Sequence, residues 1–267
     1  MLFVLGTTFK LLDLFKINKM LLRFSRLLIL VFILNSCANK TEDIGKAQGI
    51  INDAFIASGA NKIDSSIIQF KFRDKFYKAE RKSGKFQLER RFQDTVLGDV
   101  RDVLNNSDFK RYIENAEVNI ADSMAEKYSE SVNSVHYFSV LPYGLNDSAV
   151  NSEFLGEVKI GGKDYEKIKI TFDRDGGGTD FEDIFIYWFN QESKLLEYVA
   201  YQFSVNGGGL RFREAYNPRL VKGIRFVDYN NYKPKSDTIS LRNLDKEFDK
   251  NNLEFLSKIE LEDIHVY

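Results

Sequence analysis

From Ile44 to Ser58 the residues Ile44, Ala47, Ile51, Ala54, Phe55 and Ser58 recur at intervals of three and four, which predicts an amphipathic helix capped by Thr41 or Asp43 and stopped by Gly59. The pattern then changes period. Ser66–Ala79 and Lys85–Gln93 alternate polar and apolar residues around Lys82-Ser83-Gly84, as in a long hairpin with one wet face. Between Leu97 and Val132 the alternation fades, and this stretch reads as irregular with helical segments at Asp108–Asn115 and Asp122–Ser129. From Ser134 onward the pattern predicts consecutive strands at Val135–Leu141, Phe154–Ile160, Tyr165–Phe172, Asp183–Phe189, Leu195–Val205, Leu210–Tyr216 and Val221–Tyr229. Their links are short, at Asn146-Asp147, Gly161-Gly162, Gly176–Gly178, Gln191–Ser193 and Asn206–Gly209. Short links favour an antiparallel meander, because parallel neighbours need long crossovers. A helix at Asp245–Leu256, with Leu244, Phe248, Phe255 and Leu256 on one side, and a strand at Lys258–Val266 complete the chain. Pro142, Pro218 and Pro234 fall at strand ends or links, where a missing N–H is tolerated.

Two of these strands differ in how many faces they bury. Tyr165–Phe172 places Ile168, Ile170 and Phe172 inward and Lys167, Lys169 and Thr171 outward, the pattern of a strand with water on one side. Ile184–Phe189 has no such alternation: Ile184, Ile186 and Trp188 occupy one face, and Phe185, Tyr187 and Phe189 the other. Leu195–Val205 adds Tyr198, Tyr201 and Phe203. Both faces must therefore be covered. The implied fold class is α+β, a curved antiparallel half-barrel with helices on its concave side. If that cover is incomplete, an aromatic-lined pocket remains; the alternative is a filled core.

A chain of 267 residues, 43% hydrophobic and 29% charged, is apolar enough to fold around one substantial core. With 38 basic and 39 acidic side chains it carries no basic field for nucleic acid. One cysteine and two histidines exclude a disulfide framework and a Cys-rich metal site, and no cofactor motif is present.

The N-terminal region follows a different logic. Arg23 and Arg26 precede the apolar run Leu27–Leu34, followed by Asn35-Ser36-Cys37, the order of a secretory signal. Eight apolar residues span about 12 Å as a helix, against a bilayer core of about 30 Å, so the run is too short for a permanent anchor. Leu34-Asn35-Ser36-Cys37 resembles the lipobox of bacterial lipoproteins, which implies lipidation at Cys37 and attachment to a membrane through that lipid. The expected organisation is a leader over residues 1–36 with Met20 as the true start, a lipidated tether over 37–43 and one domain over 44–267. Without the five basic and one acidic side chains of positions 1–36, the remaining 231 residues carry 33 basic against 38 acidic groups. Ala38 in place of Asp favours the outer membrane, and the location expected is its periplasmic face or the cell surface.

Few residues suit chemistry. Asp173–Asp183 gathers carboxylates in a glycine turn but fails the EF-hand register, since its fifth and twelfth positions are Gly177 and Ile184. Asn206–Gly209 lacks the lysine and helix of a P-loop. No Gly-x-Ser-x-Gly elbow occurs, His136 and His265 lie in no catalytic motif, and a Schiff-base lysine would need burial that the polar side of Tyr165–Phe172 does not give Lys167 or Lys169. The informative cluster is Arg211 and Arg213, on one strand face, with Arg225 expected across the hairpin. Converging arginines can hold a carboxylate or phosphate head bidentately while aromatic residues take an apolar tail; ion pairing with Asp180, Asp183 or Glu197 is the alternative.

The segments Asn133-Ser-Val-His-Tyr-Phe138, Leu141-Pro-Tyr-Gly-Leu-Asn-Asp147, Val205-Asn-Gly-Gly-Gly-Leu-Arg-Phe-Arg-Glu-Ala-Tyr-Asn217 and Gly223-Ile-Arg-Phe-Val-Asp-Tyr229 closely resemble an uncharacterised outer-membrane lipoprotein family of Bacteroidota, over positions 44 to 235. Some members carry a deoxyribose-phosphate aldolase label, which implies a (β/α)₈ barrel that the hairpin-rich pattern contradicts. The helix, long hairpin and antiparallel run also resemble the LolA and LolB lipoprotein carriers, which implies a curved sheet over an apolar cavity. The resulting expectation is a non-catalytic envelope lipoprotein that binds a lipid or acyl chain, lined by Phe185, Tyr187, Phe189, Tyr201 and Phe203, with Arg211, Arg213 and Arg225 at the mouth. A scaffold protein with a filled core and an enzyme acting on sugars or sugar phosphates are the alternatives, the latter needing a cleft that joins His136 to a carboxylate and an arginine.

Overall fold

The computed structural model describes residues 43, 45–176, 181–204, 207–236 and 238–267. The leader, Met20, Cys37 and the tether up to residue 42 lie outside the described residues, as do Asp180 and parts of the Gly176–Gly178 and Asn206–Gly209 turns. Ala47–Tyr267 forms one compact unit. Among the described residues no helix is long and apolar enough to cross a membrane, and no group of His, Cys, Asp and Glu could hold a metal ion.

Helix α1 covers residues 45–57 and buries Ala47, Ile51 and Ala54 as its spacing predicts, together with Ile50; Ile44 lies outside the described residues. Gly59 ends it at φ 70°, pressed so closely on Gly223 that a Cβ there would lie 1.9 Å from the Gly223 carbonyl oxygen. A 3-10 turn, Ala60–Ser65, leads into β1 (Ile67–Phe72), β2 (Lys75–Lys82), β3 (Lys85–Asp94), β4 (Gly98–Asn105), β5 (Phe109–Ile113) and β6 (Ala116–Val118). Helix α2 (Asp122–Ser139) separates these from β7 (Val150–Ile160), β8 (Lys163–Phe172), β9 (Ile184–Asn190), β10 (Leu196–Phe203), β11 (Gly209–Val221) and β12 (Ile224–Pro234). A 3-10 turn, Leu241–Asn243, runs into α3 (Leu244–Asp249), then β13 (Leu253–Ile259) and β14 (Leu261–Val266). The strands build two unclosed antiparallel sheets of seven, ordered β14-β1-β2-β3-β4-β5-β6 and β13-β12-β11-β10-β9-β8-β7, giving the α+β architecture expected from the pattern. Among the described residues no βα repeat of a barrel occurs in this order.

The sheets meet where β13 gives way to β14 across Glu260. Asp228, on β12, accepts the Leu261 N–H at 2.9 Å and both Arg219 terminal nitrogens at 2.7 Å, while Arg219 also donates to the Leu261 carbonyl. Burial raises the Asp228 pKa, but Arg219, the Leu261 amide and Asn217 outweigh it and hold the carboxyl below the usual range. The Asn217-Pro218 register shift in β11 is what brings Arg219 to this carboxylate.

Four sequence readings need correction. Ser66–Ala79 is two strands, broken by a turn at Arg73 and Asp74 with Arg73 at φ 55°. The stretch from Leu97 is ordered as β4 to β6, and Asp108–Asn115 is strand rather than helix, because the inward positions of β4 and β5 include Asp102 and Arg111, charges that neutralise each other and erase the apolar alternation. Val135–Leu141 belongs to the end of α2 and the turn after it: its side chains serve two sheets at once, so the residues are apolar on all sides without being a strand. The final helix stops at Asp249, and Phe255 and Leu256 lie on β13.

Candidate functional site

Strand pairing carries the eight predicted ligand residues to one face of the second sheet. Phe185 is opposite Tyr201, and Tyr201 is opposite Arg211; Tyr187 is opposite Val199, and Val199 is opposite Arg213. Phe189 and Phe203 follow at even spacing on their strands, and Arg225 shares the side of Tyr229, whose partner Ala215 is two residues from Arg213. Arg225 itself is opposite Leu220, not Arg211 or Arg213, so the expected meeting of three arginines reduces to two. Its N–H instead bonds to the Ser58 carbonyl at the far end of α1.

Most of this face is already occupied. Tyr187 and Phe189 are 0% and 1% exposed, sealed with Ile168, Val199 and Tyr229 under Ala47, Ile51 and Ala54 of α1. The last turn of α2 supplies Tyr137 and Phe138. Tyr137 Oη lies 2.8 Å from Tyr187 Oη, and burial raises the pKa of both phenols. Exposing a buried aromatic side chain costs about 1.5–3 kcal/mol, so a ligand reaching Tyr187 or Phe189 must first displace helices at several times that cost.

The accessible part is the rim, where Phe138, Phe172, Tyr201, Phe203, Arg211 and Arg213 are half-buried. The Arg213 guanidinium carbon sits 3.9 Å from the Phe138 ring centre and 5.0 Å from that of Tyr201, and its Nη2 donates to Tyr201 Oη at 2.8 Å. Arg211 lies 4.9 Å from the Phe203 ring centre and donates to the Leu210 carbonyl. The Nε atoms of Arg213 and Arg225 are buried without an acceptor, and burial lowers the Arg225 pKa. Among the described residues no ion pair joins any of the three arginines to a carboxylate; Glu197, one expected partner, instead accepts Tyr165 Oη at 2.6 Å and lies 3.8 Å from Lys163. Two open grooves of about 530 and 610 Å³ lie elsewhere, and none of the eight residues lines either.

The other face of the sheet overturns one reading. Lys167 does not face water: 5.1 Å from the Trp188 ring centre, it is buried under α3, donating to Asp245 Oδ2 at 2.8 Å and the Arg242 carbonyl at 2.5 Å. Burial lowers its pKa, with Asp245 opposing that shift. His136 is 1% exposed beneath the first sheet, bonded to the Glu89 carbonyl, and burial together with the Arg81 charge pushes its pKa down to about 3. Neither group is open to solvent.

A family model described as a family of unknown function, DUF6503, matches residues 23–261. The chain belongs to this family. No curated protein matches its sequence. Among solved structures, this DUF6503 member is similar to a DUF1329 family protein from Desulfovibrio piger, at 9% identity over 82% of this chain and 92% of that one, with a TM-score of 0.47. It is also similar to a LolA superfamily protein from Nitrosomonas europaea, at 11% identity over 82% and 92% with a TM-score of 0.45. A putative outer membrane lipoprotein-sorting protein domain from Vibrio parahaemolyticus matches at 8% identity over 76% of this chain and 99% of that domain, with a TM-score of 0.42.

Proposed function

We propose that this DUF6503 member is an envelope lipoprotein, anchored through Cys37 to the outer membrane, that binds a lipid or other acyl-bearing anion without catalysis. The observation that carries this reading is the rim: two guanidinium groups laid on aromatic rings, with no carboxylate partner among the described residues. A buried or half-buried arginine is ordinarily matched by an acid, and an anionic head group supplies that acid from outside while Phe138, Tyr201 and Phe203 meet the adjoining chain. The buried Tyr187, Phe189 and Phe185 form the floor, reached only by a ligand that displaces Phe138 and Tyr137. Native mass spectrometry of the protein purified from its own envelope tests the reading. Bound lipid, lost in an Arg211→Ala/Arg213→Ala variant, is the expected result; repeated preparations without an adduct overturn it. The sealed floor favours a second reading, a scaffold with no small-molecule site, and that reading predicts the adduct-free outcome.

A further inference from the structure

The free edge of the first sheet borders a groove that shares no residue with the rim. β14 is the outermost strand of that sheet, hydrogen-bonded on one side only, to β1. Tyr267 and Ile67 exchange both backbone hydrogen bonds, at 2.9 and 3.0 Å, and Val266 is opposite the next residue of β1, Ile68. Bonded and non-bonded pairs alternate along an antiparallel ladder, so the Val266 N–H and C=O point away from β1. Among the described residues they have no other backbone partner. Val266 and Ile264 line an open groove of about 530 Å³, whose other walls are the end of the 3-10 turn Ala60–Ser65 and the β11–β12 hairpin tip.

The charges in this groove are of one sign. Val221, Ile224, Ile264 and Val266 supply apolar wall, and the cationic side chains are Lys62 and Lys222. Lys222 and Gly223 form a two-residue hairpin turn with φ 52° and 78°, which fixes where Lys222 leaves the tip. The Lys62 ammonium lies against Gly223, where any side chain would collide with it. Two lysines therefore meet at one turn. No aspartate or glutamate lines the groove, and neither lysine has an ion pair among the described residues. Like charges brought together repel until an anion comes between them. The groove of about 610 Å³ is different, because Glu89 and Asp263 stand in it beside Lys71, Lys78 and Arg91.

We propose that the β14 edge accepts an extended acidic peptide segment of a partner protein, its backbone paired with Val266 and its carboxylates held by Lys62 and Lys222. From Ile264 to Tyr267 the edge runs about 10 Å, the length of a four-residue strand. Main-chain pairing supplies the affinity in this mode of recognition, and the side-chain surroundings select the sequence. A small anion would use the lysines and leave the edge unpaired. The proposal depends neither on the lipid at Cys37 nor on the rim arginines.

The test titrates the full chain, in an uncharged detergent, with a fluorescently labelled peptide of alternating valine and glutamate, reading anisotropy and the exchange of the Val266 amide by NMR. Saturable binding is expected, with Val266 exchange slowed at least tenfold at saturation. Binding should weaken at least tenfold in Lys62→Ala/Lys222→Asn, where asparagine keeps the left-handed turn, and stay unchanged in Arg211→Ala/Arg213→Ala. Two versions of the peptide, N-methylated on odd or on even residues, keep the carboxylates and lose alternate backbone donors; one of them should bind at least tenfold more weakly. No saturable binding, equal binding of a valine–lysine peptide, or equal binding to the lysine variant overturns the proposal. Undiminished binding of both methylated peptides, or displacement by inorganic phosphate at the concentration of the peptide, overturns strand addition and makes the groove a small-anion site. Absence of lipid at the rim leaves the proposal standing.

Discussion

The two sheets bury their inner faces by opposite means. In the second, α1 and the last turn of α2 cover Ile168, Tyr187, Phe189, Val199 and Tyr229, a dry aromatic interior into which the Tyr137–Tyr187 hydroxyl pair is set. In the first, α2 covers a charged interior. Asp102, 0% exposed, accepts the Nε and Nη2 of both Arg90 and Arg111; Ser131 accepts Arg90 Nη1, and the Arg111 guanidinium lies 3.4 Å from the Tyr128 ring centre. The apolar cluster beside this network is correspondingly small, Ala79, Leu88 and Val132 with three half-buried neighbours, while Phe70 and Tyr77 of β1 and β2 pack on His136 further along α2. Burial of apolar surface is additive and tolerant of small errors, whereas a buried charge network is stable only when complete. One region therefore yields gradually to substitution and the other abruptly.

Removing the shared acid breaks the comparison most strongly. Asp102→Ala leaves two arginines buried without their counter-ion and should destabilise the protein by about 3–5 kcal/mol, read as a shift of the urea midpoint. Phe189→Ala, in the dry interior, should cost about 3 kcal/mol through lost burial and a cavity, and a midpoint unchanged within error would show that α1 does not seal this face. pH separates the regions next. His136 has its folded pKa depressed to about 3, while the unfolded chain titrates near 6.5, so the unfolded state takes up the proton first. Stability should be full above about pH 6.5 and fall progressively toward pH 3, with a loss of about 2–3 kcal/mol by pH 4.5 that His136→Gln abolishes. Tyr187→Phe removes one hydroxyl contact and should cost about 1 kcal/mol, without changing the slope of the denaturation curve. The smallest effect sharpens the contrast: replacing Arg90, Asp102 and Arg111 together by Met, Leu and Met should be nearly neutral, because ion pairing and desolvation of a buried triad roughly cancel. A loss as large as that of Asp102→Ala alone would mean that the triad contributes net stability.

The α+β class, the antiparallel order, helix α1 and the doubly buried strand β9 are legible in residue pattern, because each rests on local periodicity and on apolar side chains that must leave water. So is the shared face of Phe185, Tyr187, Phe189, Tyr201, Phe203, Arg211 and Arg213, since side-chain alternation and short links fix it once the strands pair as a meander. Tertiary structure decided the remainder. Asp102 and Arg111 hide two strands from any pattern reading, because a charge is admissible at an inward position only when its partner arrives from another strand. Lys167 looks like a solvent-facing residue until α3 brings Asp245 over it, and Val135–Phe138 looks like a strand until two sheets claim opposite sides of one helix. In each case the deciding energy belongs to a contact between residues distant in sequence, which local order does not encode.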